Sequence, residues 1–170
     1  MTFVVPEQFP VTLLCIAVLC IECFVIGMVV VGRARSRTFT KEFMAQFKDV
    51  HAAAFPGSEP AAGGFPDAGE GRYSDALPYK NWVDFNNAFR THINFVEMMP
   101  IIVGTLVLGG LFLPKVTMWV AIINTIARLV YTVMYVNKGS NSRILGAVAG
   151  SLPLYIVLVW TTYELIIRSI

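Results

Sequence analysis

With 170 residues, 56% of them hydrophobic and only 14% charged, the chain has a mean hydropathy of +0.65, outside the balance of an ordinary soluble domain. A net charge of +2, small and scattered along the chain, does not suggest a nucleic-acid partner, and none is expected. What fits is an integral membrane protein, because a bilayer core about 30 Å thick takes roughly 20 mostly apolar residues per helix.

The first such stretch is "VTLLCIAVLCIECFVIGMVVVG", 11–32. No basic segment precedes it and its apolar run exceeds that of a signal peptide, so a retained helix is expected. Cys15, Cys20 and Cys23 all fall inside it, where reduced, apolar packing is expected; "CIEC" has the C-x-x-C spacing but lacks the strand-helix context of a redox motif. Glu22 is an intramembrane carboxylate, either a proton relay or a structural partner for an arginine.

The polar section, 33–84, follows. "TKEFMAQFKDVHAAAF" puts Phe43, Met44, Phe47, Val50 and His51 at helical spacing, predicting a short helix lying on the membrane surface. His51 has no ligand-like neighbours and reads as solvated or interfacial. "PGSEPAAGGFPDAGEGRYSDALP" concentrates Pro and Gly and reads as a loop, long enough to serve as a docking surface.

A second span covers 86–113 and includes "AFRTHINFVEMMPIIVGTLVLGGLFL". At about 100° per residue, Arg90, Asn94 and Glu97 stand at about 0°, 40° and −20°, one stripe about 10 Å long, with His92 off it at about 200°. The third span, 116–136, places Arg128, Tyr131 and Tyr135 on one side. Arg143 opens the fourth, 144–167. The expected fold is all-α: a single integral-membrane domain, a bundle of four transmembrane helices.

Nine Lys and Arg residues fall on the side of the 33–84 section and the 137–143 loop, against Lys115 and Arg168 on the other. Basic residues stay on the cytosolic side, or the matrix side of a mitochondrial inner membrane. Polar groups from three helices thus converge on that half of the bilayer, where one charge near a helix centre costs about 2.5 to 3.5 kcal/mol. Two readings account for them. In one, Arg90 pairs with Glu97 or Glu22, and Arg128 with another carboxylate, to lock the bundle. In the other, the excess of guanidinium and phenol over carboxylate serves an anionic ligand.

"FRTHINFVEMMP" resembles the R-x-x-x-N-x-x-E-x-x-P signature of the membrane-associated proteins in eicosanoid and glutathione metabolism, a superfamily that includes microsomal glutathione transferases. "ARLVYTVMYVNKGSNSR" resembles the third-helix pattern of the same superfamily, A-R-x-x-Y-x-x-x-Y followed by an arginine, and "VGRARSRTF" resembles its basic exit from the first helix. The resemblance implies a homotrimer with glutathione bent between subunits near the cytosolic face. On that reading Arg90, Asn94 and Glu97 hold its backbone and charged ends, Tyr131 and Tyr135 line the pocket, Arg128 is structural or ligand-facing, Arg33 or Arg37 meets a carboxylate, and Arg143 stabilises the thiolate. It departs from the pattern at Met98 and Met99, where members often carry a tyrosine, and in a longer, Pro/Gly-rich first loop.

The implied function is a glutathione-dependent transferase or peroxidase of apolar, membrane-dissolved electrophiles or lipid hydroperoxides, in the endoplasmic reticulum or a mitochondrial membrane. An isomerase of an oxygenated fatty acid shares the same residues. The rival is a non-catalytic subunit of a larger membrane complex that contacts other subunits through 38–84. A small transporter would show an inverted repeat, and none is visible, although Pro100 and Pro153 interrupt spans.

Overall fold

The computed structural model describes residues 4–169, and among them there is no strand. Four helical stretches are long and apolar enough to cross a membrane: Phe9–Thr38, Tyr79–Phe112, Pro114–Lys138 and Ser140–Ser169. The chain is therefore an all-helical, multi-pass membrane protein.

The first stretch joins α1 (Phe9–Val25), a π-helical turn (Ile26–Val31) and α2 (Gly32–Thr38). It runs to Thr38 rather than ending at 32, so Arg33, Arg35 and Arg37 stand on a helix and not in the loop. Arginine is a good helix former, and no Pro or Gly follows Gly32 until after the helix has ended. Likewise α5 (Tyr79–Phe112) begins directly after Pro78. Its polar opening hid an amphipathic face, on which Phe85 and Ala88 are buried. The remaining helices are α3 (Lys41–Ala45), α4 (Lys48–Ala54), α6 (Pro114–Lys138) and α7 (Ile144–Ser169).

Backbone proximity divides the chain into two compact units. In the unit Val25–His92, three apolar side chains of the 40–55 segment, Phe43, Met44 and Phe47, turn into protein. Phe39, Met44 and Phe85 form a buried cluster, with Phe43, Phe47 and Tyr73 packed against it. Edge-on ring contacts link Phe39 to Phe85 at 5.1 Å and Phe47 to Tyr73 at 4.8 Å, a geometry that aromatic quadrupoles favour. Val50 and Phe55 stay exposed. The expected single helix is broken between α3 and α4, and Thr40 caps α3 by accepting from the Phe43 amide. His51 has its Nε2 3.1 Å from Ser58 Oγ and its ring 5.1 Å from that of Phe55.

The Pro/Gly-rich segment is more ordered than a loop reading implies, because Asp67 is buried at its centre. Its carboxylate accepts from the amides of Gly69, Gly71, Tyr73 and Ser74 and from Ser74 Oγ. Arg35, also buried, donates to the carbonyls of Gly63 at 3.0 Å and Asp67 at 2.7 Å and lies over the Phe65 ring at 4.2 Å.

In the unit Met1–Phe24 with Ile93–Ile170, the helices close on small residues, as membrane helices do where backbones approach. Gly146 and Gly150 of α7 face Ala127 of α6, and Gly109 of α5 faces Thr117 and Val157. Asn124 Nδ2 donates to the Gly150 carbonyl at 3.0 Å. Leu19, Ile102, Leu106, Leu154 and Val157 fill the interior. Outward-facing Leu14, Ile126 and Val159 are exposed, as a surface solvated by lipid requires.

Candidate functional site

In the second of these units, α6 carries the centre of a polar cluster. Arg128, Tyr131 and Tyr135 point inward at successive turns and are each at least 93% buried. Arg128 Nη1 donates to Asn94 Oδ1 of α5 at 3.0 Å, and its guanidinium lies 4.6 Å from the Phe95 ring centroid and 5.5 Å from that of Tyr131. The Tyr131 and Tyr135 rings meet edge to face at 5.6 Å.

Arg143 is brought back to this cluster by the way α6 stops. Gly139 takes a positive φ of 84°, which favours glycine, and the 3-10 turn Ser140–Arg143 reverses the chain into α7. Arg143 Nη1 then donates to Tyr135 Oη at 2.9 Å. Asn94, Arg128, Tyr131, Tyr135 and Arg143 are therefore gathered in this unit. Glu97 lies outside this group, exposed on α5.

Arg90 pairs with Glu70 of the Pro/Gly-rich segment within its own unit. Arg128 takes an amide partner instead of a carboxylate. Glu22 makes no ion pair with Arg128, and among the described residues Glu22 Oε2 has no hydrogen-bond partner. Among the described residues, then, neither Arg128 nor Arg143 has a carboxylate within ion-pair distance. Two guanidiniums, always charged and rich in donors, beside two phenols and short of counter-charge form a donor set suited to an anion.

The unit Val25–His92 holds the other expected ligand-binding arginines. Arg33 and Arg37 are exposed and line an open groove of about 510 Å³ with Met28, Val29, Gly32 and Ser36. His92, off the stripe, packs its ring on Gly27 of the π-helical turn, where a Cβ would fall 2.7 Å from Nε2. Arg35 and Asp67 carry structure rather than a site. Burial pushes the Asp67 carboxyl up, but the hydrogen bonds from Ser74, Gly69 and Gly71 outweigh it and hold the group below the ordinary carboxylate range.

Glu70 and Asp67 escaped the sequence reading. For Asp67 the signal was present in "DAGEGRYS", an Asp followed at two and four residues by Gly, the chemistry of a side chain that organises its own turn. For Glu70 there was none, since its partner lies far along the chain. The cysteines of "CIEC" are free, Cys20 exposed and Cys23 half-buried.

No curated protein matches the chain. A family pattern does, over residues 11–163, which is nearly the whole sequence and takes in both helix motifs, and on that match the chain belongs to the MAPEG family.

Proposed function

We propose that the chain is a glutathione-dependent transferase or peroxidase acting on apolar electrophiles or lipid hydroperoxides dissolved in the membrane. The observation that carries this reading is the pair Arg128 and Arg143, set about the Tyr131–Tyr135 phenols without a carboxylate partner among the described residues. Glutathione is a net anion whose thiol, with a pKa of about 8.5, is mostly protonated at neutral pH. A guanidinium beside that sulfur favours the thiolate. In this reading Arg143 does so, while Tyr135 fixes its direction by accepting one of its donors. Arg128, held by Asn94, has donors left for the peptide backbone. For the charged ends of the ligand it is the family resemblance, and not the geometry, that assigns Arg90 and either Arg33 or Arg37 to carboxylates and Glu97 to the ammonium group. The protein needs no nucleophile of its own.

Family membership supports a role in glutathione or eicosanoid chemistry in general. The homotrimer, the endoplasmic-reticulum or mitochondrial setting and the cytosolic or matrix side of the first loop belong to the same proposal. A second reading, a non-catalytic subunit docked through the loop, draws support from the exposed rings of Phe55 and Phe65. Thermal unfolding of the detergent-purified protein separates the two. A ligand at 100 times its Kd stabilises by about 2.7 kcal/mol, and the absence of any shift at millimolar glutathione would leave the docking reading in place.

A further inference from the structure

Glu70 sits between two glycines whose backbones are fixed. The amides of Gly69 and Gly71 donate to Asp67 Oδ1 at 2.7 and 3.2 Å. The Gly69 carbonyl accepts from Trp82 Nε1 at 2.9 Å and Asn86 Nδ2 at 3.1 Å. Gly69 has a φ of 97°, and a Cβ there would fall 2.8 Å from Asn86 Oδ1. Trp82, Asn86 and Arg90 occupy successive turns of one face of α5. The loop is thus laid along that face, and its next side chain, Glu70, reaches Arg90 Nη2 with Oε1.

We propose that Glu70 is a specificity-determining residue: it is the internal occupant of Arg90, a tethered carboxylate that an anionic ligand has to displace. This rests on the reading of Arg90 as a ligand-binding group. The backbone on either side of Glu70 is held by contacts that do not use its side chain, so the pair costs little further ordering. Both side chains are still more than half exposed, at 53% and 66%, and an exposed ion pair is weak enough for a ligand to replace. Arg90 then selects ligands whose own anionic group forms a better fork with guanidinium than a single tethered carboxylate does, and rejects neutral analogues against an occupied arginine.

Two measurements on the full-length protein in detergent test this. The first is the rate at which an arginine-selective dicarbonyl modifies Arg90, read by peptide mass spectrometry in wild type, Glu70→Gln and Glu70→Ala. The second is the Kd for glutathione in the same three proteins. With an exposed pair at stake, both variants are expected to gain about 2- to 5-fold in Arg90 modification and in glutathione affinity. Backbone exchange over 67–74 should be unchanged, since Asp67 and not Glu70 holds the loop. Equal modification and equal affinity would overturn the proposal. So would weakened affinity, which would make Glu70 a ligand contact. Faster modification with no glutathione binding by any form would leave Arg90 occupied by Glu70 and remove the glutathione reading instead.

Discussion

Gly146 of α7 lies so close to Tyr131 of α6 that a Cβ on the glycine would stand 2.5 Å from the tyrosine amide nitrogen and 2.8 Å from the Ala127 carbonyl oxygen. Neither atom is the end of a flexible side chain, so relief requires the two helices to part. Gly146→Ala should therefore destabilise the protein by about 1 to 3 kcal/mol, read as a lower Tm in detergent. It should also weaken glutathione binding, because the backbone that moves is that of Tyr131. A variant with the wild-type Tm would mean that the helices are not closed at this point.

Arg143 is held by one hydrogen bond to Tyr135, which separates two effects by mutation. Arg143→Ala removes the charge: if the guanidinium lowers the thiol pKa by about one unit or more, thiolate at neutral pH falls by about tenfold, seen as loss of thiolate absorbance on saturation with glutathione. Tyr135→Phe keeps the charge and the ring but frees the guanidinium, and is expected to lose less than Arg143→Ala. Thiolate formation unchanged in Arg143→Ala would take that residue out of the chemistry.

The span count and the α6 cluster were legible because helical periodicity and membrane hydropathy are local signals. Arg128, Tyr131 and Tyr135 share a face by spacing alone, whereas the stop at Gly139 that returns Arg143 was not read from the sequence. The partners were not legible. Nothing in the spacing of Arg90 assigns it to Glu70, because the loop that carries Glu70 is placed by Asp67, Trp82 and Asn86 through contacts distant in sequence. The same holds for Phe43, Met44 and Phe47. Their periodicity gives a helix face, but whether it meets lipid or Phe85 depends on a helix that begins only after Pro78.

Asp67 makes the loop sensitive to acid. Its folded-state pKa is depressed, so the stability it contributes is present above the unfolded value, about 3.9, and is lost as pH falls through the folded value. Exchange protection of the amides from Gly69 to Ser74 should hold through neutral pH and decline below about pH 4. Each hydrogen bond to a charged group contributes about 1.5 to 3 kcal/mol. Asp67→Ala should accordingly speed exchange at neutral pH by at least about 10-fold and abolish the acid-dependent loss. Protection that is insensitive to this substitution would mean that Arg35 alone holds the segment.

Glu97 gives the proposed trimer its sharpest test. It lies within α5, one turn beyond Asn94, and is exposed with no ion pair among the described residues. A charged carboxylate facing hydrocarbon near a helix centre would cost about 2.5 to 3.5 kcal/mol, a large share of a typical total stability. A neighbouring copy, or a ligand held between copies, relieves that cost, whereas lipid does not. The two environments respond oppositely to Glu97→Leu. A lipid-facing position would gain stability and leave the assembly alone. A position between copies would lose a polar partner, so native mass spectrometry should show three copies for the wild type and a shift toward single chains for the variant, together with weaker glutathione binding. A stabilised variant of unchanged mass would place Glu97 in lipid and take it out of the ligand site.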